Sequence, residues 1–147
     1  MKHASNKLIS MPCILLCSVF MELPSKAKKL IDGKNFINIA TLMPDGSPQV
    51  TVTWVDRDGD TVLVNTTEDR IKAKNVRRDP RVALSIFSMD DPYDAVFLRG
   101  KVVEMTKAGA EEHVDKLSQK YTGANYRQHG DRILLRIEVH HAHVQKP

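Results

Sequence analysis

The chain is poor in cysteine: 147 residues include two, Cys13 and Cys17, both near the N-terminus. Thiols four positions apart make neither a disulfide framework nor a zinc-ligand pattern, and the rest of the chain has none, so nothing in it calls for an oxidising compartment. Aromatic residues are scarce as well, 5% with a single Trp. That argues against a nucleic-acid-binding barrel with a face of stacking rings. It also leaves the core to Val, Ile, Leu and Ala, a bias that favours strands. No apolar run is long enough to span a bilayer. Neither sign of charge dominates: 22 Lys and Arg against 18 Asp and Glu leave a net charge of +4. Such a balance permits an anionic ligand without demanding nucleic acid. What remains is ordinary globular composition, 41% hydrophobic and 27% charged. It suits one cytoplasmic domain that can bury a core without disulfide or metal staples.

The first twenty residues differ from the rest. Leu8 to Phe20 is mostly apolar and follows Lys2 and Lys7, but Pro12 interrupts the run and no small-residue cleavage site follows it. A targeting segment is the competing reading. The preferred one makes residues 1–21 a dispensable N-terminal extension, such as an upstream start codon would add, and residues 22–147 the domain.

Along that domain the turns stand out first. Residues 25–32 read as a short entry helix with Ser25 as N-cap and Gly33 as its stop. Phe36–Leu42 is an apolar run of strand length, followed by the turn Pro44-Asp45-Gly46. Gln49–Val55 alternates, with Val50, Val52 and Trp54 expected on the buried face. Asp58-Gly59 marks a second hairpin and Thr61–Thr66 a third strand. Glu68–Arg78 then has the sparse apolar stripe of a short helix, which Asp79-Pro80 ends. Val82–Phe87, Ala95–Met105 with a kink at Gly100, and Ile133–Val144 complete six strands, the last with Ile133, Leu135, Ile137 and Val139 on one face. Ala108–Tyr121 is a second inserted helix that Gly123 terminates. Six strands joined mainly by tight turns predict antiparallel pairing, and full or partial closure would remove exposed edges, which favours a small barrel over an open sheet. The expected fold is mainly β with short helices, a six-stranded antiparallel barrel.

Chemistry concentrates in one stretch. Arg70, Lys72, Lys74, Arg77, Arg78 and Arg81 crowd residues 70–81, just after a strand that ends in Asn65, Thr66 and Thr67. A helix N-terminus presents free N–H groups and the positive end of its dipole, and Arg and Lys add donors, so the segment is equipped to hold a dianionic phosphate. On composition alone a solvated basic helix face is the plainer reading.

The segment does not stand alone. Ile39-Ala40-Thr41-Leu42, Pro44 to Val50, Arg70-x-Lys72-x-Lys74-Asn75, Arg77 to Leu84, Arg99-Gly100 and Lys120-Tyr121-Thr122-Gly123 occur in an order that resembles the pyridoxamine 5′-phosphate oxidase-like split-barrel superfamily. The similarity is nearest to its deazaflavin (coenzyme F420)-dependent branch and spans about residues 22–144. The resemblance implies an oxidoreductase that transfers a hydride between a flavin or deazaflavin and a small organic substrate. It implies F420 as cofactor, with FMN as the alternative. Gln49, Val50, Thr51, Val52 and Thr53 match the strand that lines the ring. Asn65, Thr66 and Thr67 match the ribityl and phosphate side. Arg70, Lys72, Lys74 and Asn75 match the phosphate-holding run. Members form homodimers with a cofactor at each end of the interface, the partner closing over the ring. Neither a membrane nor nucleic acid is implied as a partner.

The family pattern offers no catalytic acid or base at a numbered residue, which suits chemistry carried by the cofactor. An authentic pyridoxamine phosphate oxidase is not expected, because no C-terminal extension closes a substrate phosphate site. A non-catalytic flavin-binding or haem-handling protein on the same scaffold is the alternative. His141 and His143 share a strand face, but two ligands do not make a metal site, and no metal is expected. His113, beside Glu111 and Glu112, reads as surface. Trp54 reads as core rather than ring contact, and Tyr126 and Arg127 as exposed loop.

Overall fold

The structure, a computed structural model, describes residues 21–146. The expected extension thus lies outside the described residues except for Met21, whose N–H donates to Val139 O. Cys13 and Cys17 lie outside them too.

Three helices and seven strands run in the order α1 (Ser25–Asp32), β1 (Ile37–Leu42), β2 (Pro48–Thr53), β3 (Asp56–Asp58), β4 (Thr61–Thr67), α2 (Ile71–Arg78), β5 (Arg81–Phe87), β6 (Ala95–Thr106), α3 (Ala110–Thr122) and β7 (Arg132–Val144). All strands belong to one antiparallel sheet in the order β2-β1-β5-β6-β7-β4-β3. The expected six-stranded barrel is therefore corrected on two counts: among the described residues there are seven strands, and β2 and β3 are edges that do not pair with each other, so the sheet is not closed.

The reason lies in residues 54–55. The expected long strand Gln49–Val55 breaks after Thr53, and the chain resumes as β3 on the opposite edge of the sheet. Thr53 and Asp56 are three peptide units apart, so the two edges lie within about 11 Å of each other there. The sheet curls that far and stops, because helix α3 takes up the backbone groups that closure would need. Tyr121 Oη accepts from Val55 N–H at 3.2 Å, and Lys120 Nζ donates to Val55 O at 3.1 Å. The same two side chains donate to Asn35 O and Ile31 O, tying α1 and its exit to the crossing. Burial of Val55 is thus matched by satisfied polar groups rather than by a strand neighbour.

The concave face carries the core. Ile37 and Ile39 of β1, Val62 and Val64 of β4, Leu84 and Ile86 of β5, and Ile133, Leu135, Ile137 and Val139 of β7 are all buried there, with Ala27, Leu30 and Ile31 of α1. The face predicted for β7 is the face it buries. On β2 the outcome is reversed: Gln49, Thr51 and Thr53 pair with inward-facing Thr41, Ile39 and Ile37, whereas Val50 and Val52 point outward, each 63% exposed. Gly100 lets β6 approach β7 closely: a Cβ there would sit 2.0 Å from Glu138 O. The ladder slips register beside it, between Arg99 and Gly100.

Candidate functional site

A cavity of about 330 Å³ opens between the end of β2, the end of β4, the start of α2 and one side of α3. Its polar rim comes from β4 and the β4–α2 connection. Asn65, Thr66 and Thr67 end that strand, and Arg70 and Lys72 reach the same cavity from the start of α2. The helix begins at Ile71, three residues later than the sequence pattern suggests, with Arg70 as an extended N-cap residue and no side-chain cap. Thr67, expected to face the ligand, also donates its hydroxyl to Asp69 Oδ1 at 2.5 Å. In the first turn of α2, Ala73 N–H donates to Arg70 O at 3.0 Å, which leaves the amides of Ile71 and Lys72 to solvent or to a ligand.

Two cations thus stand side by side at this rim. Neither Arg70 nor Lys72 forms an ion pair among the described residues. Lys72 is half-buried, and its ammonium is held below its ordinary 10.5 by that burial and, secondarily, by the charge of Arg70. An anion between them would relieve both effects.

The opposite wall is aromatic and apolar: Phe36, Trp54, Val52, Val114, Leu117 and Tyr126. Trp54 stacks flat on Tyr121, centroids 5.2 Å apart and planes at 4°, and meets Tyr126 edge-on at 5.9 Å. Arg132 lies over the Tyr126 ring, 4.5 Å from its centroid, and donates to His129 O at 2.8 Å. Asp115 of α3 anchors this loop by accepting from Tyr126 N–H and from His129 Nε2. The hydrogen bond between Asp115 and His129 lowers the pKa of the carboxyl and raises that of the imidazole. Tyr126 is therefore a fixed wall, not the exposed loop residue expected. Trp54 lines the cavity as well as packing on Tyr121.

Of the residues singled out from sequence, the fold gathers Val52, Thr53, Asn65, Thr66, Thr67, Arg70 and Lys72 around this one space. The others lie elsewhere. Gln49 accepts from Thr41 Oγ1 at 3.5 Å. Val50 lines a separate cavity on the outer face with Phe97, His141 and His143. Thr51 Oγ1 is buried with no hydrogen-bond partner among the described residues. Lys74 is exposed, and Asn75 is buried and donates to Thr41 Oγ1 at 3.0 Å and to Met43 Sδ at 3.4 Å. Phe36, Val114, Leu117 and Arg132 were not singled out from sequence; Trp54 and Tyr126 were, but as core and as exposed loop.

His113 is not surface. Its side chain is 9% exposed, with Nε2 at 3.1 Å from Asp56 Oδ2 and Nδ1 at 3.2 Å from Asn65 Nδ2. Asp56 also accepts from Lys116 at 2.9 Å, and these donors hold its carboxyl well below the usual range despite its partial burial.

The site combines a cationic, hydroxyl-rich rim with a flat aromatic wall, which fits a ligand with a planar ring at one end and a phosphate at the other. Among the described residues that line it, none is arranged as a nucleophile with its base. Among the described residues no helix is long and apolar enough to cross a membrane.

The family model described as pyridoxamine 5′-phosphate oxidase matches residues 23–146. A solved F420 reductase is 26% identical, with a TM-score of 0.74 over 82% of this chain and 98% of its own. A conserved hypothetical protein from Mycobacterium tuberculosis is 21% identical, with a TM-score of 0.62 over 84% of each chain. A heme storage protein from Vibrio cholerae is 14% identical, with a TM-score of 0.62 over 85% of this chain and 96% of its own. The last two similarities concern the fold alone. No curated protein matches the chain by sequence.

Proposed function

The chain belongs to the pyridoxamine 5′-phosphate oxidase family, and from that we propose that it is an oxidoreductase holding a phosphate-bearing deazaflavin or flavin in the cavity between β2, β4 and α3. F420 is the preferred cofactor and FMN the alternative; the preference draws on the F420 reductase among its structural relatives. One observation carries the reading: Arg70 and Lys72 converge without an acidic partner on a cavity whose far wall is Trp54 and Tyr126.

In this reading Arg70 and Lys72 hold the phosphate, with the uncapped first turn of α2 and the hydroxyls of Thr66 and Thr67 completing the cradle. Val52, Thr53 and Trp54 support the ring, and Tyr126, stiffened by Arg132, limits water on its open side. Bound there, the cofactor supplies a two-electron hydride transfer to or from a small organic molecule. The protein binds, orients and shields; no side chain is assigned a proton transfer.

We further propose a homodimer. The outward apolar residues Val50, Val52 and Phe97 leave a sheet face that a second copy would cover beside the cavity mouth.

The test is the absorbance and mass spectrum of any small molecule that copurifies, followed by titration with F420, FMN and riboflavin. Submicromolar binding of a phosphorylated cofactor, much weaker binding of riboflavin, and consumption of reduced cofactor with an added acceptor are expected. Binding without consumption would favour the non-catalytic alternative. Absence of binding to both phosphorylated cofactors would refute the reading.

A further inference from the structure

Asn65 sits at the cavity wall, 7% exposed, and every polar atom of its amide is engaged. Nδ2 donates to Ala110 O at 2.7 Å and lies 3.2 Å from His113 Nδ1, while Oδ1 accepts from Arg132 Nη1 at 3.4 Å. An amide nitrogen is only a donor, so His113 Nδ1 has to be an acceptor and carry no proton. The imidazole proton then belongs on Nε2, where Asp56 Oδ2 accepts it at 3.1 Å. A single tautomer satisfies all four groups.

We propose that His113 is a positioning residue: through its unprotonated Nδ1, with Asp56 holding the proton on Nε2, it acts together with Ala110 O and Arg132 to hold Asn65 with its carbonyl oxygen rather than its NH₂ toward the cavity. The reverse orientation would set Asn65 Oδ1 against Ala110 O and its NH₂ against the Arg132 guanidinium, both repulsive. The cavity wall then carries a fixed acceptor next to a fixed cation. If the cofactor reading above is right, on which this step rests, that acceptor selects a ligand hydroxyl or N–H at the end of β4 and disfavours a carbonyl there.

Protonation would undo the arrangement, because an Nδ1–H facing the Asn65 NH₂ places two donors together. The charged groups brought to the imidazole are Asp56 from β3, Lys116 of its own helix, which shares that carboxylate, and Arg132 from β7 on the far side of Asn65.

The test has two arms. Long-range ¹H–¹⁵N correlation spectra of the intact, ligand-free protein at neutral pH read the tautomer directly, and we expect a bare Nδ1 and a protonated Nε2 on His113. The Asn65 side-chain amide signals should move in His113→Leu and stay near those of the parent in His113→Asn. A protonated Nδ1 at neutral pH, or Asn65 signals indifferent to the ring, would overturn the proposal whether or not any cofactor binds. The second arm uses FMN and F420 as probes. His113→Asn keeps an acceptor toward Asn65 and should hold affinity within about threefold. His113→Leu should weaken binding roughly three- to tenfold, the worth of one hydrogen bond. A folded His113→Leu that binds as tightly as the parent would also overturn it. Failure of the parent to bind either probe would count against the cofactor reading, and the spectra would still decide the tautomer.

Discussion

Lys72 keeps its ammonium in a half-buried place beside another cation, and that unfavourable setting is what a ligand would exploit. Charge-assisted hydrogen bonds contribute about 1.5–3 kcal/mol each, so Lys72→Ala should weaken a phosphorylated cofactor by roughly ten- to a hundredfold in calorimetric titration. Riboflavin should be nearly insensitive to the change. Lys74→Ala and Arg77→Ala are the controls: Lys74 is exposed away from the cavity and Arg77 pairs with Glu68 at 3.3 Å. Equal losses in all three would mean a diffuse field instead of a clamp. The depressed pKa sets the pH sense. The ammonium is needed charged, so affinity is full at neutral pH and falls as pH rises through a value below 10.5 in the free protein. For folding the sign is opposite: the unfolded chain holds this proton to higher pH, so stability from this group rises with pH across that window. At this scale the sequence was readable where neighbours along the chain act together, as in Asn65 to Lys72. It was not readable for His113, because its burial depends on Asp56 and Asn65, which lie on two other strands.

Among elements, β6 and β7 form the longest ladder, and its weak point for substitution is Gly100. A methyl group there would meet Glu138 O at 2.0 Å, with the Val139 Cα 3.0 Å away, so backbone itself would have to move. Gly100→Ala should cost about 1–3 kcal/mol or more in chemical denaturation, and the register slip next to it should spread, seen as faster amide exchange along β7. Unchanged stability would show that the ladder gives way freely. A glycine in a strand hinted at such an approach, and β7 buried the face its alternation predicted. Strand β2 misled for a physical reason. Alternation identifies two faces but not which one meets the core, and here the threonines turn inward while the valines turn out. The same local view missed β3, three residues long and visible only through its pairing with β4.

For the molecule as a whole, the outward face of β2, β1, β5 and β6 is where association would occur. Phe97, 42% exposed and stacked on His143 at 6.2 Å, stands on that face and away from the candidate site. Phe97→Lys should raise the dimer dissociation constant by tenfold or more, about 1.4 kcal/mol, with the shift read by light scattering across a dilution series. A parent protein that is monomeric at micromolar concentration with cofactor bound would instead remove the dimer from consideration. Strand content and antiparallel pairing were legible at this scale. The open edge was not, because it depends on Tyr121 and Lys120 reaching Val55 from sixty-five residues or more away.

The strand order also dictates a sequence of events during synthesis. β4 carries three of the residues that line the cavity, and its neighbours in the sheet are the three-residue β3 and the distant β7, with Val62 facing Ile137. A nascent chain can complete the β1–β2 and β5–β6 hairpins early, but β4 has no substantial partner until β7 has been translated. Local pairings therefore form first and this long-range one last. Any cofactor held in the cavity must therefore wait until β7 has been translated and has paired with β4.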